Sequence, residues 1–223
     1  MRKLETAVLA IVLLSFALSL YFYEQMPERI ASHWNFRGEA DAYSPKFWGL
    51  FIMPIISVFL AGLLFLIPRI DPMKANVEKF RSYFENFVLI ITLFLFYLYS
   101  LTIAWNLGAR FNLLALITPG FAVLFYYSGV LMEHAKMNWF IGIRTPWTMS
   151  SENVWNKTHK IGAKLFKACG AISLLGVFAG DYAIVFVIAP VLLASIYLFI
   201  YSYLEYEKEK KVNKKSPHPK RMA

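Results

Sequence analysis

Cysteine is all but missing from this chain: Cys169 stands alone among 223 residues. A single thiol excludes an intramolecular disulfide and any cysteine-based metal cluster. It falls within an apolar run, where a free thiol serves as a small packing residue. Ionisable side chains are just as scarce inside the long apolar runs. Four runs, 6–23, 47–67, 86–105 and 182–204, carry none in their interiors, while Glu133 and Asp181 sit at run boundaries. Proton pumps and ion-coupled carriers keep such groups inside the bilayer for a purpose, so their absence disfavours a proton-coupled carrier. No internal repeat is visible, and nowhere do a nucleophile, a base and oxyanion donors come together. The chain is therefore not expected to be an enzyme.

What the sequence has in abundance is apolar length. Runs at 6–23, 47–67, 86–105, 111–132, 161–180 and 182–204 each approach the roughly 20 helical residues needed to cross a hydrocarbon core of about 30 Å. The composition agrees, with 58% apolar residues, 17% aromatic residues and a mean hydropathy of +0.50, above what a soluble domain of this size carries. These features predict an all-α polytopic membrane protein of six transmembrane helices, forming one membrane domain over 1–206. No soluble domain is left over. Arg2 and Lys3 before the first run, with Ala17-Leu18-Ser19, loosely resemble a signal peptide. The run continues through Leu20, Tyr21, Phe22 and Tyr23, however, which suits a retained span with interfacial aromatics. The tail 207–223, rich in lysine and containing Pro217 and Pro219, reads as disordered.

Charge of one sign is concentrated. Of 23 lysines and arginines, nineteen fall in alternate connections and four in the others. Basic residues are retained on the cytoplasmic side during insertion, so both termini, the connection 68–85 and the loop 133–160 are expected in the cytoplasm, and the loop 24–46 outside the cell membrane. The net charge of +9 is then explained by topology and by attraction to anionic membrane lipid, rather than by direct nucleic-acid binding.

Within the loop 24–46, Asn35-Phe36-Arg37-Gly38 suits a tight turn, with Trp34, Phe36 and Tyr43 at the interface. His33, Glu39 and Asp41 are a sparse donor set for a metal. The expectation is a structural turn packed on helix ends, with no metal and no cofactor. In the second loop, Gly142 permits close backbone approach and Pro146 forces Thr145 out of helical geometry, which predicts an irregular, rigid loop. Arg144 is its forked donor, suited to a lipid phosphate, a carboxylate or helix-end carbonyls. Arg144 and Trp147 either staple this loop to neighbouring helix ends or serve a ligand. Ser150 or Ser151 can cap a helix that begins near Glu152, and along it Lys157, Lys160, Lys164 and Lys167 form one basic stripe, most simply facing headgroups. Only 13 uncharged residues follow Lys167 up to Gly180. Lys167 therefore either snorkels to the interface or lines a vestibule with Glu133 or His134. Asp71-Pro72 is a helix start signal, predicting an amphipathic surface helix through Val77 and Phe80. Gly176-x-x-x-Gly180 offers a small-residue face to another helix.

Two motifs carry a resemblance that spans nearly the whole chain. Pro27-x-x-Ile30-x-x-His33-Trp34-Asn35-x-x-Gly38-x-x-Asp41-x-Tyr43 resembles the extracytoplasmic segment of the SdpI family. Asn138-x-x-x-Gly142-x-Arg144-Thr145-Pro146-Trp147-Thr148, followed by Trp155-x-x-Thr158-His159-Lys160-x-Gly162, resembles that family's second signature. Met149 and Lys160 depart from it, standing where leucine and arginine are usual. The resemblance implies an immunity protein that protects its producer from a secreted, membrane-active toxin peptide and holds a transcriptional repressor at the membrane. It places peptide engagement at His33, Trp34, Asn35, Gly38, Asp41 and Tyr43. Regulator contact, or a structural role, falls to Asn138, Gly142, Arg144, Thr145, Pro146, Trp147, Trp155, Thr158 and His159, with Lys167 beside them.

Three function classes stand at this point. The first is a peptide-sensing or immunity protein. The second is a small-solute or lipid transporter, motivated by Pro54, Thr118-Pro119-Gly120 and Pro190 inside spans, since broken helices mark midplane binding sites. The third is a membrane enzyme drawing on His134, His159, Glu133 and Lys167. Oligomeric state is not legible.

Overall fold

A computed structural model describes residues 3–215. Its long helices are α1 (Lys3–Phe22), α2 (Lys46–Ile70), α4 (Arg81–Asn106), α5 (Leu113–His134), α7 (Glu152–Leu175) and α8 (Val185–Lys215). The short α3 (Lys74–Glu78) and α6 (Pro146–Ser150) lie between them. Six helices are long and apolar enough to cross a membrane. The departure from an all-helical chain is a hairpin of antiparallel strands, β1 (Arg29–Trp34) and β2 (Ala40–Pro45).

Successive spans run back and forth, so the molecule has two ends. The hairpin end gathers the hairpin, the last turns of α1, α4 and α7, and the first turns of α2, α5 and α8. The opposite, loop end carries the first turn of α1, the segment 135–151 and the extension of α8. Each end has its own apolar core. At the hairpin end Met26, Ile30, Leu50, Tyr99 and Ile103 pack together. At the loop end Val77, Phe80, Phe84, Leu131, Ala135 and Ile141 do so. The spans expose many large apolar side chains, as lipid-facing helices must.

Most polar side chains within the spans are satisfied locally. The Ser19 hydroxyl lies 2.5 Å from Tyr99 Oη and donates to the Leu50 carbonyl, tying α1, α2 and α4 at one buried point. The helices run unbroken through Pro54, Pro119 and Pro190. Pro119 cannot donate to the Ala115 carbonyl, and Thr118 Oγ1 does so instead at 2.8 Å; Tyr97 Oη donates to the Leu116 carbonyl at 2.6 Å. Neighbouring groups thus repair the helix at Pro119, so this proline does not break the span.

Three expectations are revised. The start signal at Asp71-Pro72 does not cap a long surface helix. Instead α3 is short, and its apolar residue Val77 and the following Phe80 are buried in the loop-end core. Gly180 has φ +55 with open space around it, so it makes a turn rather than a helix contact, whereas Gly176 meets Thr118 and the Ala183 carbonyl. The close approach lies between α5 and α7, where Gly129 faces the Ala163 carbonyl and Gly170 the Ala122 carbonyl, each 2.6 Å from an added Cβ. Finally, α8 continues to Lys215, so 207–215 is helix where disorder was expected. Glu205–Lys208 and Glu207–Lys210 pairs support it from within, at 2.6 and 3.7 Å. The rest of that tail, 216–223, lies outside the described residues.

Candidate functional site

The hairpin is built from both its root and its tip. At the root, Glu28 and Lys46 pair at 2.9 Å, and the Lys46 N–H donates to the Glu28 carbonyl. The Asn106 side chain then acts as a third strand: its Oδ1 accepts from the Ala31 N–H at 2.8 Å and its Nδ2 donates to the Ala31 carbonyl at 3.1 Å. That exchange satisfies the outer edge of β1 and binds it to the end of α4. Edge groups left open would invite pairing with other chains. At the tip, Asn35 Oδ1 accepts from the Arg37 and Glu39 N–H groups, and Gly38 takes φ +77. A side chain at Gly38 would strike Asn112, the residue that caps α5 through the Ala115 N–H.

Above α5 and α8 this hairpin leaves an apolar groove of about 450 Å³, lined by His33, Trp34, Phe36, Leu114, Ile188 and Leu192, with Asn35 also at its wall. The Trp34 ring meets Trp105 edge-on at 5.6 Å, and Arg110 lies over Trp105 at 4.2 Å. Trp34 Nε1 has no hydrogen-bond partner among the described residues. His33 Nδ1 lies 2.5 Å from Asp41 Oδ1, both exposed. Of the six expected residues, His33, Trp34 and Asn35 thus share the groove, Asp41 reaches it through His33, and Gly38 shapes the turn. Tyr43 stands exposed on β2, away from the groove, its carbonyl accepting from Arg29. Among the described residues no group of three or more His, Cys, Asp or Glu side chains is arranged to hold a metal.

At the loop end the second motif folds around its own polar atoms. Asn138 is fully buried, donating to the Lys136 and Ile141 carbonyls and accepting from the Phe140 and Ile141 N–H groups. The buried Asp71 carboxylate joins this loop to α3, accepting from the Met73 N–H at 2.6 Å and the Trp139 N–H at 3.0 Å. Asn76 Nδ2 donates to the Met137 carbonyl. Arg144 Nη1 donates to the Trp139 carbonyl, closing the loop on itself. Thr145 and Thr148 form a reciprocal capping box with Pro146 at the first turn of α6, and Thr145 Oγ1 also donates to Ser202 of α8. Trp147 packs against Phe199 and Tyr203 at about 5 Å.

His159 is the keystone of this loop. Its Nε2 accepts from the Ile143 N–H at 3.0 Å and its Nδ1 faces the Trp155 carbonyl at 2.9 Å. The first partner can only donate and the second only accept, so the ring is neutral with its proton on Nδ1. It stacks on Trp155 at 4.0 Å, and Trp155 Nε1 donates to the Ala135 carbonyl. Gly142, at φ +110, is where an added Cβ would collide with His159 Nε2, which accounts for glycine there. Thr158 is buried with no partner for Oγ1 among the described residues. Lys167 pairs with Glu133 at 2.7 Å, while His134 stacks on Tyr83 instead. Within the basic stripe Lys157 is paired with Glu205 at 2.9 Å, and Lys160 and Lys164 are exposed.

The two motifs therefore lie at opposite ends and share no site. Sequence reasoning missed Asn106 and the α5 and α8 wall of the groove, and it read Asp71 only as a helix start and not as the tie to the loop. A polar residue closing an apolar run, as Asn106 does, was the available signal.

Two family models match the chain: a domain of unknown function, DUF1648, over residues 10–58, and the SdpI/YfhL protein family over residues 134–202. A curated relative, "Immunity protein SdpI" of Bacillus subtilis (strain 168), is 32% identical over 199 residues, covering 89% of this chain and 93% of the relative. No solved structure matches.

Proposed function

This chain belongs to the SdpI/YfhL protein family and is a multi-pass cell-membrane protein, and from that premise we propose that it confers immunity to a secreted, membrane-active peptide. The peptide engages the hairpin end, which faces outward, and a cytoplasmic regulator engages the loop end. The observation that carries this reading is the groove between the hairpin tip and α5 and α8. Its walls are apolar, one of them is the bilayer-facing flank of α8, and its rim offers the His33–Asp41 pair. A hydrophobic peptide moving within the outer part of the membrane meets such a groove without first leaving lipid. The nineteen-to-four division of basic residues supports the outward placement of the hairpin.

The test is survival of Bacillus subtilis lacking its own immunity protein and exposed to its secreted toxin. This chain should restore growth. Replacing Ile188 or Leu192, both exposed in the groove, with tryptophan should abolish protection while leaving protein level and helicity unchanged. Full protection by both filled variants would remove the groove from the mechanism. Absence of protection by the wild-type chain, together with no peptide binding by the purified protein, would count against the immunity reading itself.

A further inference from the structure

A second groove, at the loop end, is independent of the peptide site and of which face is outward. One stripe of α2 supplies Val58, Ala61, Gly62, Phe65 and Arg69, at intervals that keep one helical face. Facing it, α1 supplies Glu5, Val8, Leu9 and Val12 at the same periodicity. The open groove between them has a volume of about 300 Å³. Between these stripes Gly62 opens a gap: a Cβ built there meets no atom within 4 Å. From Val58 to Arg69 the groove runs about 16 Å along the helix, half of a hydrocarbon core of about 30 Å, the depth of one leaflet. Arg69, in the last turn of α2, is exposed and has no acidic partner among the described residues. Its position is that of a headgroup phosphate, and its planar fork fits two phosphate oxygens.

We infer that this groove is a specific phospholipid site, with one acyl chain lying along Val58, Gly62 and Phe65 and the phosphate held by Arg69. The groove offers an apolar channel one leaflet deep, a missing side chain that makes room for the acyl chain, and a forked cation at the mouth, with the Glu5 carboxylate on the facing α1 wall. A lipid held there fills the seam between α1 and α2 at the loop end and so contributes to packing that the two helices do not complete alone.

The test is native mass spectrometry of the full-length protein, purified in detergent, stripped of lipid and titrated with phosphatidylglycerol. The wild-type chain should retain one lipid per chain. Gly62→Leu, at a position where an added Cβ meets no protein atom within 4 Å, and Val58→Phe, at an exposed wall position, should each abolish retention while circular dichroism stays helical. If Gly62→Leu fails to fold, Val58→Phe decides. Arg69→Gln should weaken binding about tenfold, and diacylglycerol, which lacks the phosphate, should bind the wild type as weakly. Unchanged retention by the groove-filling variants would overturn the site, as would displacement of the lipid by inorganic phosphate alone. Diacylglycerol binding as tightly as phosphatidylglycerol would overturn the role of Arg69. A Gly62→Leu variant that splits a dimer while keeping its lipid would give the groove to a second copy of this chain.

Discussion

Gly142 shows how one missing side chain organises a loop. Its φ of +110 and the His159 ring where its Cβ would stand leave room for no other residue. Gly142→Ala should therefore destabilise the full chain by about 2–4 kcal/mol, combining backbone strain with a displaced ring. Chemical denaturation in detergent checks this, with Gly62→Ala, at an open position, as the near-neutral control. His159→Ala leaves the Ile143 N–H unpaired and a cavity beneath Trp155, and should cost about 2–4 kcal/mol. Lys167→Leu should cost about 1 kcal/mol or less, because its Glu133 partner is partly exposed and can be solvated. The sequence made Gly142, Arg144 and Pro146 visible as loop formers, since glycine and proline declare their geometry locally. It could not reveal that His159 closes the loop, because that bond joins residues sixteen apart through the turn of another helix.

Among the elements, the spans were legible and the hairpin was not. Apolar length needs no partner to be recognised, whereas Arg29–Trp34 and Ala40–Pro45 are short and half polar. They become strands because Asn106 and Lys46, supplied by helix ends, satisfy their edge and root. Asn106→Ala should consequently loosen the hairpin while leaving the bundle intact: amide exchange at Ala31 should accelerate, with helical content unchanged. The α8 extension was misread for a related reason. Its high charge suggested disorder, yet Ser151 and Asn153 bond Glu209, and Lys157 bonds Glu205, so that α8 is docked onto the first two turns of α7. The contact of α5 with α7 depends on Gly129 and Gly170, each with a carbonyl of the other helix 2.6 Å from its absent Cβ. Gly170→Val should force the helices apart and lower stability by about 1–3 kcal/mol, measurable as an earlier thermal transition.

Taken as one molecule, the chain is two polar ends joined by apolar rods. The proposed orientation is checked with the lone buried thiol removed as Cys169→Ser and single cysteines placed at Arg37 or at Lys136. A membrane-impermeant maleimide applied to intact cells should label the first and spare the second, and the reverse result would invert the topology. Between those ends α4 is gripped twice, by Asn106 closing on Ala31 and by Tyr83 stacked on His134. Its apolar stretch, 86–105, spans about 30 Å, matched to a hydrocarbon core of about 30 Å. A rod held at both tips has little freedom to tilt, so in a thinner bilayer the lipid around α4 must stretch to meet the protein. Hydrophobic mismatch is thereby absorbed by the membrane rather than by the separation of the two faces.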